Sequence, residues 1–118
     1  MPSDYGALIQ RTVGDLGCEV EIEPGRLISG NAGILVAGVI YVKSGEGRDF
    51  LILDAAMNDL IRPSMYDAHH DIVPVVEPAP GVDHAPYDIV GPVCESGDTF
   101  AKGRDLPPLA PEDLIAFR

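Results

Sequence analysis

Residues 34–54 read ILVAGVIYVKSGEGRDFLILD, and this stretch decides the fold. Ile34 to Val42 is an apolar, largely β-branched run, and Phe50 to Leu53 is a second apolar run that ends at Asp54. The intervening KSGEGRD is rich in glycine and charge, which favours a turn. Two apolar strands joined by such a turn predict a β-hairpin over residues 34–54.

Around this hairpin the sequence predicts one helix and several short strands. The helix begins near Ser3 and Asp4, and Gly17 ends it. The alternation CEVEI at 18–22 predicts a strand with one wet face. Pro63 is expected to break residues 55–68, and Pro74 to place its strand at an edge or a bulge. The remaining short strands, separated by proline-rich connectors, are predicted at 72–76, 88–93 and 113–117.

The charge balance excludes several classes of partner. Eight Lys and Arg stand against 19 Asp and Glu, a net charge of −11 over 118 residues. Nucleic acid and anionic membranes are therefore not expected as partners. No apolar run approaches the ~20 residues of a membrane span, and the N-terminus lacks the pattern of a signal peptide. Cys18 and Cys94 are expected to be free thiols in a reducing cytoplasm.

The first candidate site is EPGR, residues 23–26. Gly25 lets the backbone approach a ligand closely, and successive N–H groups at such a turn can hold an anion. Arg26 adds a forked donor suited to phosphate or carboxylate. The alternative is a simple turn after a strand, with Arg26 on the surface.

The second candidate lies in NDLIRPSMYDAHH, residues 58–70. Arg62 and Tyr66 are four residues apart and could hold a carboxylate or phosphate between them. The pair His69-His70 points in two directions on any regular element, so these residues are interpreted as partly exposed histidines at a turn. No metal site is predicted.

The third candidate is GPVCESGD, residues 91–98. Cys94 sits between residues that bend the backbone and beside Glu95, which suggests chemistry more than packing. It could be a nucleophile, a proton donor or an inert thiol that ends a strand. A thiol is mostly protonated at neutral pH, which suits a general acid, and Glu95 could hold a substrate amine.

Taken in order, EPGR, GNAGIL, LDAAMNDLIRPSMYDAHHDIVPV and DIVGPVCESGD closely resemble diaminopimelate decarboxylase. That family belongs to the pyridoxal-phosphate enzymes of the alanine racemase type, fold type III. The resemblance implies a mainly β chain, the C-terminal β-barrel or sandwich domain of such an enzyme. Residues 31–118 would form this β-domain, incomplete at its C-terminal end. Residues 1–30 would be a helix-strand remnant of the (β/α)8 barrel that binds pyridoxal phosphate.

The resemblance also implies a role for each candidate residue. Glu23 would face the pyridine nitrogen of pyridoxal 5′-phosphate. Pro24, Gly25 and Arg26 would lie against its phosphate, with Arg26 also available to the substrate. The remaining substrate-binding residues would be Arg62, Tyr66 and Glu95. Cys94 would protonate the carbanion carbon after CO2 leaves, and Cys94 and Glu95 would reach the active site of the neighbouring subunit of a homodimer.

The implied reaction converts meso-2,6-diaminopimelate into L-lysine and CO2 in lysine biosynthesis. The sequence lacks the lysine motif of the family: Lys43 ends a hairpin strand, and Lys102 is predicted in a loop. This chain is therefore expected to be a fragment that is inactive alone. Two alternatives stay open: a non-catalytic interaction or regulatory module, and a related diamino-acid decarboxylase such as carboxynorspermidine decarboxylase.

Overall fold

The computed structural model describes residues 2–118, which divide into two units between Gly33 and Ile34. The first unit contains helix α1 at Pro2–Val13 and one turn of 3₁₀ helix at Gly25–Leu27. Neither helix has a fully buried residue. Over the described range, no helix combines the length and the apolar character of a membrane span.

The predicted strand at residues 18–22 is wrong. These residues form bends and irregular backbone, and all five are exposed. A strand is stabilised by hydrogen bonds to a neighbouring strand, and its period-two pattern alone supplies no partner. The helix prediction is confirmed in kind, although α1 ends at Val13, four residues before Gly17.

The second unit is a six-stranded sheet with the strand order β3-β6-β1-β2-β4-β5. All neighbouring pairs are antiparallel except β2 and β4, which are parallel. The strands, in chain order, are β1 Leu35–Gly45, β2 Arg48–Leu53, β3 Ile72–Pro74, β4 Ala85–Val90, β5 Thr99–Leu106 and β6 Leu114–Phe117.

The predicted hairpin is confirmed as β1 and β2. Gly45 pairs with Arg48 around a two-residue turn, in which Gly47 has φ 82°. A positive φ costs glycine little because it has no Cβ, which explains the glycine at this position. The register shifts between Val39 and Tyr41, so the hairpin carries an irregularity of the bulge type near its open end.

Strand β5 was not predicted, and the placement of Lys102 in a loop is wrong because this residue lies on β5. The strand is an edge strand whose sequence, TFAKGRDL, has three charged residues and a glycine at φ 59°. Only Phe100 and Leu106 are buried there, so the alternation that marks a strand is weak. The other short strands are confirmed with shifted bounds: β3 is an edge strand, as Pro74 indicated, and β4 begins three residues earlier than predicted.

The sheet curls so that its two edge strands, β3 and β5, approach each other and nearly close a barrel. Arg104 on β5 donates from Nη2 to the carbonyl of His70, just before β3, at 2.9 Å. The rings of Phe100 and Phe117 pack inside with centroids 4.8 Å apart. Leu51, Leu53, Ile89 and Ile115, all fully buried, form the centre of the core.

Pro63 lies in the first turn of a helix, which corrects the expectation that it breaks one. Helix α2 spans Arg62–Tyr66 with proline in its first turn, where the missing N–H has no intrahelical acceptor to lose. Asp67 ends the helix in the left-handed region at φ 53°, and its N–H bonds to the carbonyl of Pro63. The helix is thus one and a half turns between β2 and β3.

Candidate functional site

The EPGR segment forms an exposed turn in the first unit. Gly25 has φ 57°, and a Cβ at this position would meet no atom within 4 Å. The glycine is therefore required by the backbone conformation, and the space beside it is open. The N–H of Leu27 bonds to the carbonyl of Pro24 at 3.1 Å, which closes the single 3₁₀ turn.

The charged side chains of this turn are available to a ligand. Glu23 and Arg26 are exposed, and neither has a hydrogen bond or ion pair from its side chain to any residue in 2–118. A cofactor with a ring nitrogen and a phosphate could use a carboxylate, a guanidinium and an open glycine backbone. The residues present therefore fit pyridoxal phosphate, although they would form only one wall of its site.

Arg62 and Tyr66 lie together on α2. The Arg62 guanidinium carbon is 5.8 Å from the centroid of the Tyr66 ring, as the i, i+4 spacing of a helix allows. Arg62 is half-buried and Tyr66 is exposed. The pair presents five N–H donors and a phenol hydroxyl on one surface, a combination that suits a carboxylate or phosphate.

Cys94 and Glu95 lie on an exposed turn between β4 and β5. The turn is held by hydrogen bonds among its own residues. The N–H of Gly97 donates to Glu95 Oε1 at 3.1 Å, and Ser96 Oγ donates to the same oxygen at 3.0 Å. The Gly97 N–H, followed by the Ser96 hydroxyl, lowers the pKa of Glu95 below its ordinary value. Glu95 is therefore a carboxylate at neutral pH, ready to accept from a cation.

Asp98 organises this turn, and the sequence interpretation did not single it out. It is one of two buried charged residues among those described, at 3% exposure. Its Oδ2 accepts the N–H of Val93 at 2.8 Å, and its Oδ1 accepts the N–H of Met57 at 2.7 Å. A short-range signal existed, since an aspartate can bond backbone N–H groups of its own turn. The contact with Met57 spans 41 residues and has no local signal.

Helix α2 touches the Cys94 turn through one further contact. Ser64 Oγ donates to the carbonyl of Gly97. Within residues 2–118 no hydrogen bond or ion pair joins Arg62 or Tyr66 to Cys94 or Glu95. Helix α2 and the Cys94 turn are therefore neighbours, but their candidate side chains do not contact each other through polar groups. A cleft of about 650 Å³ lies along this junction. Its lining includes Ser64, His69, Ser96, Lys102 and Arg104.

The paired histidines contact other parts of the sheet domain, and the two lysines lie on its surface. His69 Nδ1 lies 2.9 Å from Arg104 Nη2, and His70 Nδ1 lies 3.2 Å from the carbonyl of Arg118. No group of three or more His, Cys, Asp or Glu side chains suited to a metal ion occurs in the described part of the chain. Lys43 on β1 and Lys102 on β5 are both exposed.

Comparison with known proteins identifies the family of this chain. Residues 10–118 match the family model described as pyridoxal-dependent decarboxylase, C-terminal sheet domain. The diaminopimelate decarboxylase of Zymomonas mobilis is 46% identical over 113 residues, covering 96% of this chain and 26% of that protein. That of Vibrio cholerae is 48% identical over 118 residues, covering 99% of this chain and 28% of that protein.

A solved structure gives the same result. The crystal structure of diaminopimelate decarboxylase from Helicobacter pylori complexed with L-lysine matches with a TM-score of 0.86 and 43% identity. The match covers 98% of this chain and 28% of that one, so the chain spans about a quarter of the length of its relatives. The resemblance stated from the motifs is confirmed: the chain belongs to the pyridoxal-dependent decarboxylases, as their C-terminal sheet domain.

Proposed function

We propose that this chain is the C-terminal sheet domain of a diaminopimelate decarboxylase, which converts meso-2,6-diaminopimelate into L-lysine and CO2. The observation that carries the proposal is the exposed pair Cys94 and Glu95 on a turn that is internally hydrogen-bonded. A thiol and a carboxylate on a fixed turn are arranged to act on a molecule outside this domain. The identity of 46–48% to relatives of that name supports the choice of substrate class.

The cofactor of this reaction is pyridoxal 5′-phosphate, which when bound supplies an electron sink for the carbanion left by CO2. In this proposal Glu23 would face the pyridine nitrogen of the cofactor, and its carboxylate would stabilise the protonated form of that nitrogen. Gly25 would leave room for the phosphate to approach the backbone, and Arg26 would pair with the phosphate or with the substrate. We assign residues 1–30 to the end of a barrel domain that forms the rest of the pocket, and 31–118 to the sheet domain.

The substrate roles follow from the side chains on the second unit. Arg62 binds a carboxylate of the diamino acid through its fork of N–H donors, and Tyr66 donates its hydroxyl to the same group. Glu95, held as a carboxylate, accepts from the distal ammonium group of the substrate. Cys94 Sγ gives its proton to the carbon that has lost CO2.

The exposure of Cys94 and Glu95 also supports an active site shared by two subunits of a homodimer. Each turn would reach into the site of the neighbouring chain, in a cytoplasmic enzyme. The two lysines do not match the lysine motif of the family, and both are exposed on the sheet. The chain is therefore proposed to be inactive alone, because it supplies no lysine for the cofactor aldehyde.

The first test titrates pyridoxal phosphate into the 118-residue chain, followed by borohydride trapping and intact-mass analysis. The expected result is no stoichiometric adduct. A stoichiometric adduct on Lys43 or Lys102 would show that the chain builds its own cofactor site, and inactivity alone would be abandoned.

The second test joins residues 2–118 to the remaining three quarters of the Vibrio cholerae relative, replacing the matching segment. The chimeric enzyme should release CO2 from meso-2,6-diaminopimelate and show little activity on carboxynorspermidine. Cys94→Ala should lower kcat by at least about 100-fold, since a positioned general acid contributes at least that much. Cys18→Ala is the matched control and should stay within about twofold. Equal activity of the two cysteine variants would remove Cys94 from the mechanism, and preference for carboxynorspermidine would reassign the substrate.

A further inference from the structure

The turn that carries Cys94 has little regular structure to hold it. Residues 92–96 are exposed and belong to no strand or helix. A catalytic proton donor must nevertheless be placed within about 0.5 Å to be effective. The position of the turn therefore depends on its hydrogen bonds. Most of these join residues of the turn to one another, but one buried side chain also links the turn to a distant segment of the backbone.

That side chain is Asp98, and its two carboxylate oxygens have different partners. Oδ2 accepts from Val93, immediately before Cys94, at 2.8 Å. Oδ1 accepts from Met57, in the segment that leads to α2, at 2.7 Å. One carboxylate thus ties the cysteine turn to the segment that leads to Arg62 and Tyr66. Hydrogen bonds to a charged acceptor are about twice as strong as neutral ones, so both ends are held firmly.

Gly91 contributes to the Asp98 clamp, by which we mean the two hydrogen bonds that the Asp98 carboxylate accepts from the N–H groups of Val93 and Met57. A Cβ at Gly91 would lie 2.2 Å from Asp98 Oδ2 and 2.5 Å from Oδ1, closer than any real contact. Its N–H donates to the Asp98 backbone carbonyl at 3.0 Å. The glycine is needed here because the carboxylate occupies the volume of a side chain. The first and last residues of GPVCESGD therefore act together.

We propose that Asp98 is a positioning residue for the decarboxylation: its carboxylate fixes the Cys94–Glu95 turn against the Met57 backbone. The catalytic consequence rests on the proposed function, whereas the clamp itself is a property of the fold. Asn at position 98 keeps the shape but turns one acceptor oxygen into an NH2 group that faces an N–H donor. One of the two hydrogen bonds must then be lost, so that Asp98 no longer links Val93 to Met57.

Amide hydrogen exchange tests the clamp without any need for activity. In the 118-residue chain, Asp98→Asn should speed exchange at the Val93 or Met57 amide by at least about tenfold. Asp113→Asn is the matched control, because Asp113 Oδ2 accepts the Ala110 N–H at 2.7 Å in a different turn. It should leave exchange at Val93 and Met57 unchanged and change exchange at Ala110 only slightly, because Asn keeps one oxygen that can accept from this N–H. Unchanged exchange at both amides in Asp98→Asn would overturn the clamp.

Kinetics of the chimeric enzyme test the positioning role. Asp98→Asn and Gly91→Ala should each lower kcat per cofactor-loaded site by at least about tenfold, and Asp113→Asn should not. A merely structural residue would reduce the amount of folded enzyme but not this rate. In enzyme that already carries Cys94→Ala, Asp98→Asn should cost less than about twofold more, because both changes act on one proton transfer.

The two proposals fail in different ways. An inactive chimera with wild-type residues throughout would count against the proposed function, while the exchange experiment would still decide the clamp. An active chimera in which Asp98→Asn keeps full kcat, or loses as much with Cys94 absent as with it present, would overturn the positioning role alone. Gly91→Ala provides the second variant should Asp98→Asn fail to fold.

Discussion

Removal of Asp88 should destabilise the sheet domain much more than removal of the arginine that pairs with it. Asp88 lies in β4, and its side chain is 11% exposed. Its Oδ1 accepts the N–H of Gly103 on β5 at 2.9 Å, and its Oδ2 lies 3.0 Å from Arg48 Nη1 on β2. One carboxylate therefore connects three neighbouring strands.

The two contacts contribute unequally. A hydrogen bond from a backbone N–H to a carboxylate stabilises by about 1.5–3 kcal/mol, whereas an ion pair with an exposed partner contributes about 0–1 kcal/mol. The Arg48 side chain is 61% exposed, so its contribution lies within this low range. Gly103 is exposed as well, and water can bond to its N–H once the carboxylate is lost. The expected loss is about 2 kcal/mol for Asp88→Ala and about 0.5 kcal/mol for Arg48→Gln.

Urea unfolding of the 118-residue chain, followed by circular dichroism, measures both values. Asp88→Asn serves as the intermediate variant, because it keeps an acceptor for Gly103 and loses the charge; it should cost about 1 kcal/mol. Equal losses in Arg48→Gln and Asp88→Ala would refute the reasoning, because they would place the stabilisation in the ion pair. If the difference in unfolding free energy between Arg48→Gln and the wild type disappears in 0.5 M salt, the ion pair is a small contribution that salt screens.

Three further predictions address the turn, the core and the substrate. The Glu95 carboxyl should titrate by NMR below its ordinary pKa, and Ser96→Ala should raise that pKa. Because folding lowers the pKa of Glu95, its contribution to the stability of the turn is lost as the pH falls through the pKa of the folded state. Phe100→Ala should cost about 3–5 kcal/mol in thermal unfolding, against less than about 0.5 for Val76→Ala, which is 80% exposed in the native chain. In the chimeric enzyme Arg62→Lys should raise KM for diaminopimelate about tenfold, because the forked donor is lost; an unchanged KM would remove Arg62 from the substrate site.

Local sequence determined much of this protein. The apolar runs and glycine turn at 34–54 contain a hairpin within themselves, because register and turn chemistry are encoded by neighbours in sequence. The candidate residues also stand out locally, since EPGR and GPVCESGD both combine glycine with charged residues and GPVCESGD adds a thiol. Helix α2 was harder, because Pro63 is compatible both with breaking a helix and with beginning one.

Tertiary structure alone decided how the elements come together. Strand β6 lies between β1 and β3 in the sheet although it is last in the chain. Strand β5 forms an edge of the sheet, but its charged sequence does not show the alternation that would predict a strand. The strand expected at 18–22 did not form, since an alternating pattern needs a neighbour to supply its hydrogen bonds. Asp98 shows the same limit at the site: its partner Met57 is 41 residues away, and only the folded chain brings that N–H within 2.7 Å of the carboxylate. The sequence identifies the groups that can react, and long-range contacts such as that between Asp98 and Met57 fix their positions.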